Sequence, residues 1–257
     1  MKSLTTGLVV SALILPGAGY AQPGATTDAT PPAATRLSET GRDPAEFPAW
    51  VETLKVKARD SGISEPTLTS AFAGIHFVDR VVKSDRGQLE QKVLLDDYLK
   101  RVVTPDKVQE ARRQAHLHRH ALARIGRQYG VQPHYIVALW AMESRFGKIQ
   151  GKEDIFSALA TMAFEGRRET FFTNELLAAL KMVDRGDIDA SSMKGSWAGA
   201  MGQNQFMPSS YLRYGVDGDG NGKIDLVHSR ADALASTANF LRGHGWGAGA
   251  GYQPGQP

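Results

Sequence analysis

The sequence predicts a mainly α fold. Apolar residues recur at helical spacing in segment after segment, and proline starts and glycine stops punctuate those segments. No run of alternating residues is long enough for a strand. The chain has 257 residues, 42% of them hydrophobic, which is enough for a core in one domain or two closely joined subdomains.

The elements follow in order. Lys2 precedes the apolar run "LVVSALIL" (residues 8–15) and then "PGAGYAQP". A positive start, a short apolar segment and the small residues Gly19 and Ala21 read as an export signal, residues 1–21, cut after Ala21. The run is well short of the roughly 20 residues of a spanning helix, so no stable membrane insertion is expected. Residues 22–45 are rich in Pro, Thr and Ala and read as a disordered tether. Phe47, Trp50, Val51, Leu54 and Ala58 then fall at helical spacing. Ser64 with Pro66 starts the next helix, and Thr104 with Pro105 starts one expected to run to Tyr129 and stop at Gly130. Pro133 and Gly147 bracket another. "ETFFTNELLAALKMVDRGD" and "DALASTANFLRGHGW" supply two more, and the tail 247–257 reads as flexible. The expected division is a helical extension over 46–103 and a core over 104–246.

Composition narrows the function. There is no cysteine, hence no disulfide and no lipid-bearing cysteine after the signal. That fits a soluble exported protein, periplasmic rather than a lipoprotein. A net charge of +3 is too small to point to nucleic acid and is compatible with a mildly anionic polymer.

The helix expected over 134–146 carries the chemistry. Ile136, Val137, Leu139, Trp140, Met142 and Phe146 cover more than one face, so the helix should be central. It also holds Glu143. An acid among apolar side chains loses hydration, and its pKa rises toward ~6. It can then donate a proton near neutral pH. The competing reading is a structural ion pair with Arg145, Arg167 or Lys148.

Two further stretches weigh on that choice. "GSWAGAMGQNQFMPSSY" places Gly195, Gly199 and Gly202 before Gln203 and Gln205. Glycines let a backbone or ligand approach, and Gln side chains suit hydroxyl and acetamido groups; a packing loop is the alternative. "VDGDGNGKIDL" sets Asp217, Asp219 and Asn221 at alternate positions, then Gly222 and Lys223, whose carbonyl would serve. This is the opening of an EF-hand calcium loop. The twelfth position, usually Glu, is His228, so Asp232 is expected to close a longer loop. Calcium (Ca2+) would be structural, with no cofactor needed for the chemistry.

Together with "YGVQPHYIVALWAMESRFG", "SALATMAFEGRRETFFTNELLAAL" and "DALASTANFLRGHGW", these stretches resemble the lytic murein transglycosylase B family, glycoside hydrolase family 103. The resemblance runs from about Phe47 to Trp246. It implies a lysozyme-like α domain with an N-terminal helical extension. It implies Glu143 as sole catalytic carboxylate, first acid and then base, cleaving peptidoglycan between N-acetylmuramic acid and N-acetylglucosamine to leave a 1,6-anhydro end. It also implies Ser196 and Gln205 beside the acid, Arg167 and Arg168 meeting the substrate, and Tyr98 as a cleft aromatic. The partners implied are glycan strands, with other cell-wall enzymes possible, and the protein itself a monomer. Phe171 and Phe240 stand where some members have tyrosine. Members also continue past the "HGW" motif, so a cleft lacking one wall is expected. The rival readings are a non-catalytic wall-binding or regulatory protein and a lysozyme-type hydrolase. His116, His118 and His120 read as a solvated cluster rather than a zinc site.

Overall fold

A computed structural model describes residues 41–88, 94–247 and 249. The expected signal lies outside them, as do most of the tether and most of the tail. The described part of the tether, residues 41–45, is held in place. Asp43 accepts the Ala45 N–H at 2.9 Å to start a 3-10 turn, and Arg42 donates to Glu169 at 2.7 Å and to the Phe164 carbonyl at 3.3 Å.

Eleven helices make up the described fold: α1 (Phe47–Asp60), α2 (Glu65–Phe72), α3 (Asp79–Gln88), α4 (Leu95–Val102), α5 (Pro105–Leu117), α6 (Arg119–Tyr129), α7 (Pro133–Ser144), α8 (Ile155–Glu165), α9 (Glu169–Asp184), α10 (Pro208–Tyr214) and α11 (Arg230–Gly243). Two two-residue strands, β1 (Glu153–Asp154) and β2 (Lys194–Gly195), pair antiparallel. Side-chain caps fix several starts: Thr104 accepts the Lys107 N–H, Asp154 that of Ser157, and Ser229 that of Asp232. Gly130, left-handed at φ 70°, ends α6 as expected.

The single helix expected over 105–129 is two. The chain breaks at His118, whose ring packs edge-on to Trp140 at 5.9 Å. The bend lets both α5 and α6 pack against α7.

The apolar core forms two clusters. The larger joins Phe47, Val51 and Leu54 of α1 and Leu68 and Phe72 of α2 to α8, α9 and α10. It takes residues from both sides of residue 104. The smaller joins Leu122 and Ile125 of α6, Ile136, Val137 and Trp140 of α7, and Leu234, Ala238 and Leu241 of α11. The helix buried all round is α8, where every residue from Ile155 to Phe164 is buried. On α7 one flank stays partly open: Leu139, Met142 and Glu143 are half-buried. That flank faces a cavity.

Candidate active site

The cavity lies where the two apolar clusters meet. It has a volume of about 50 Å³ and opens to solvent. Leu139, Trp140 and Glu143 come from α7, Asn204, Gln205 and Phe206 from the loop between β2 and α10, and Thr237, Phe240 and Leu241 from α11. Leu139 and Glu143 are four apart and therefore share one helix face.

Glu143 stands in the last turn of α7. Just beyond it the backbone turns through three successive left-handed residues, Arg145 (φ 49°), Phe146 (φ 62°) and Gly147 (φ 82°). Two of these are not glycine, a costly conformation that such sites concentrate. The Phe146 N–H reaches the Trp140 carbonyl at 3.1 Å, and the Gly147 N–H reaches Ser144 Oγ at 2.8 Å, so the turn is closed by bonds.

The carboxyl has no ion pair among the described residues. Lys148 lies 3.9 Å from Glu110, and Arg167 pairs with Asp85, so two of the expected structural partners are engaged elsewhere. Glu143 Oε2 is buried and has no hydrogen-bond partner. Burial pushes the carboxyl up to about 8. This is higher than the ~6 expected from sequence, because desolvation acts with no compensating donor.

The loop between β2 and α10 closes as a tight hairpin. Met201 and Phe206 exchange backbone hydrogen bonds at 2.9 and 3.0 Å, leaving residues 202–205 at the tip. The glycines serve backbone packing here: a Cβ on Gly195 would lie 2.2 Å from the Ala200 carbonyl, and one on Gly202 would lie 2.8 Å from that of Leu226. Gln203 is spent on structure, accepting from Trp140 Nε1 at 2.9 Å and donating to the Val227 carbonyl at 3.2 Å. Gln205 lines the cavity, with Nε2 donating to the carbonyls of Gly202 (2.9 Å) and Gln150 (3.1 Å).

Of the expected substrate residues, Gln205 alone shares the cavity lining with Glu143. Ser196 is half-buried and accepts the Ala200 N–H at 3.0 Å. Arg167 and Arg168, at the α8–α9 turn, both reach the buried Asp85 of α3, and Arg168 also lies over the Phe172 ring at 4.7 Å. Tyr98 is half-buried on α4. Phe240 lines the cavity, and Phe171 is 47% exposed. Sequence reasoning missed Asn204 and Thr237, which line the cavity beside the acid. The polar run "GQNQ" was the available signal.

The acidic loop converges. Carboxylate oxygens of Asp217, Asp219 and Asp232 lie within 4.8 Å of one another. Asp232 is fully buried and accepts the N–H groups of Gly218 (2.8 Å), Asp219 (3.3 Å) and Asp225 (2.8 Å). His228, at the twelfth position, turns to Asp225 at 3.0 Å, so the loop departs there from a twelve-residue EF-hand. Asn221 Oδ1 accepts the Lys223 N–H at 2.9 Å.

The model of the transglycosylase SLT domain matches residues 46–255. The chain belongs to that family. Membrane-bound lytic murein transglycosylase B of Escherichia coli K12 is 43% identical over 150 residues, which is 58% of this chain and 41% of that protein. SltB3 from Pseudomonas aeruginosa, solved with NAG-NAM-pentapeptide, is 42% identical with a TM-score of 0.77, covering 80% of this chain and 55% of its own. The lytic transglycosylase Slt35 of Escherichia coli, solved with calcium, is 35% identical with a TM-score of 0.70, covering 87% and 73%. This SLT-domain chain thus spans well under two thirds of the first two. No helix among the described residues is long and apolar enough to cross a membrane.

Proposed function

We propose that this SLT-domain chain is a peptidoglycan lytic transglycosylase with Glu143 as its one acid and base. The observation that carries the reading is the cavity itself. Its lining includes one carboxyl group, that group is protonated at neutral pH, and no second acid stands among the lining residues. A two-carboxylate hydrolysis needs a partner within about 5–9.5 Å. A single acid suffices when the nucleophile belongs to the substrate.

The steps follow from the residue's environment. Protonated Glu143 donates to the glycosidic oxygen between N-acetylmuramic acid and N-acetylglucosamine as that bond breaks. The carboxylate left behind is poorly solvated and takes a proton back readily. The muramoyl 6-hydroxyl supplies it, and its oxygen closes a 1,6-anhydro ring on C1. Leu139, Trp140 and Phe240 keep water from that carbon. The NAG-NAM-pentapeptide bound by SltB3 supports a glycan strand as substrate. Arg167, Arg168, Ser196 and Tyr98 are proposed to meet that strand farther from the reacting bond. Peptidoglycan as substrate implies export to the periplasm.

Digestion of purified sacculi tests this reading. Soluble muropeptides analysed by mass are expected to carry 1,6-anhydro ends. Reducing ends would replace the proposal with a lysozyme-type hydrolase. Binding of sacculi without release would replace it with a wall-binding protein.

A structural calcium ion is part of the same proposal. Three converging carboxylates are a hard-oxygen donor set that fits calcium, and Asn221 and the Lys223 carbonyl are the further oxygens proposed to complete it. The calcium in the Slt35 structure supports the assignment. The ion would supply charge that holds the three acids together. Millimolar calcium is expected to raise the melting midpoint over that in chelator by several degrees; an unchanged midpoint would remove the metal from this account.

A further inference from the structure

Asn204 is 6% exposed at the hairpin tip. Its Nδ2 donates to the Ala233 carbonyl at 2.5 Å and to Thr237 Oγ1 at 2.7 Å, both on α11. The Ala233 carbonyl can only accept, and the Thr237 hydroxyl hydrogen is already directed at that carbonyl, at 3.0 Å. Neither neighbour could donate to an amide oxygen turned toward it. The amide is therefore fixed with its NH2 on α11 and its oxygen facing away. That oxygen, Oδ1, is buried and has no hydrogen-bond partner, while Asn204 lines the cavity that holds Glu143. A buried acceptor without a donor is costly to leave unmet.

We infer that Asn204 sets substrate specificity: its Oδ1 accepts a hydrogen bond from the acetamido N–H of an N-acetylated sugar seated beside Glu143. The rest of the lining favours that group over a bare hydroxyl. Leu139, Phe206 and Leu241 offer an apolar wall to the acetamido methyl, and the amide supplies the one donor that Asn204 needs. Thr237 is a positioning residue, because it holds the Asn204 amide in this orientation. The naming of the sugar rests on the transglycosylase reading; the fixed acceptor rests on the hydrogen bonds alone.

The test is calorimetric titration of the whole chain carrying Glu143→Gln, which leaves ligands uncut. The probes are chitotriose and cellotriose, which differ at C2 by acetamide against hydroxyl. Chitotriose is expected to bind more tightly. Adding Asn204→Leu should weaken chitotriose roughly tenfold and barely change cellotriose. Thr237→Val, which keeps shape and removes one tether, should cost chitotriose affinity severalfold, and Thr237→Ser should restore it. An equal loss for both sugars, or unchanged chitotriose affinity, in either variant would overturn the inference. A shifted pH–rate profile with unchanged KM in Asn204→Leu would also overturn it, by making Asn204 a partner of Glu143 instead. Chitotriose selectivity through Asn204 without anhydro products from sacculi would keep this inference and remove the transglycosylase reading. Anhydro products with an unaltered KM in Asn204→Leu would do the reverse.

Discussion

Glu143→Gln is expected to lower muropeptide release about a thousandfold or more, since proton transfer by a positioned group contributes roughly 10²–10⁴. Glutamine keeps the shape and cannot give or take the proton. No second acid in the cavity lining can take over. The same substitution should change stability in a pH-dependent way. The folded carboxyl sits at about 8 against an ordinary 4.5. Between those values the folded chain holds a proton that the unfolded chain has released. Stability therefore falls as pH rises from about 4.5, and the loss is complete above about 8. The full shift corresponds to at most ~5 kcal/mol, and to on the order of 3 once the opening to solvent is allowed for.

Melting the two proteins in parallel from pH 5 to pH 9 isolates this contribution, because every other titrating group is common to both. The variant should gain on the parent as pH rises. A constant difference across that range would mean that the acid is solvated, and the proton-donor assignment would go with it. Retained release of muropeptides by the variant would dismiss Glu143 outright.

What the sequence disclosed here, and what it hid, divides by range of interaction. The lone acid in "ALWAMESRFG" was legible because helical spacing alone surrounds it with apolar side chains. The cap at Thr104 was local too, as was the alternate spacing of Asp217, Asp219 and Asn221. The break at His118 was not legible, since it answers to Trp140 on another helix. Arg167 and Arg168 could not be matched to Asp85, about eighty positions away, before the packing of α3 on α8 was known. In "GQNQ" the sequence drew attention to the two glutamines. Only the register of the Met201–Phe206 hairpin shows that Gln203 turns to Trp140 and that Asn204 reaches the cavity. The closing acid of the calcium loop is an intermediate case. Asp232 was reachable by counting past His228, and its burial under three backbone donors was not.

That burial makes Asp232→Asn the second large effect. The carboxylate accepts on both oxygens, from Gly218 and Asp219 on one side and from Asp225 on the other. An amide can accept on one side only. Its NH2 would face a backbone N–H in either orientation, in a place closed to water. The expected cost is about 2–4 kcal/mol, which for a chain of this size lowers the melting midpoint by roughly 5–15 °C. Measuring in chelator separates this role from metal binding. A variant that melts with the parent in chelator has no structural bonds to lose there. A variant that gains as much from calcium as the parent does leaves Asp232 out of the metal site. The damage should also reach the chemistry. Asp232 lies in the first turn of α11, and Thr237, Phe240 and Leu241 of that helix line the cavity about one and a half to two and a half turns later. A helix that has lost its first-turn anchor holds those side chains less firmly, so KM for glycan should rise in the folded variant even though Glu143 is untouched.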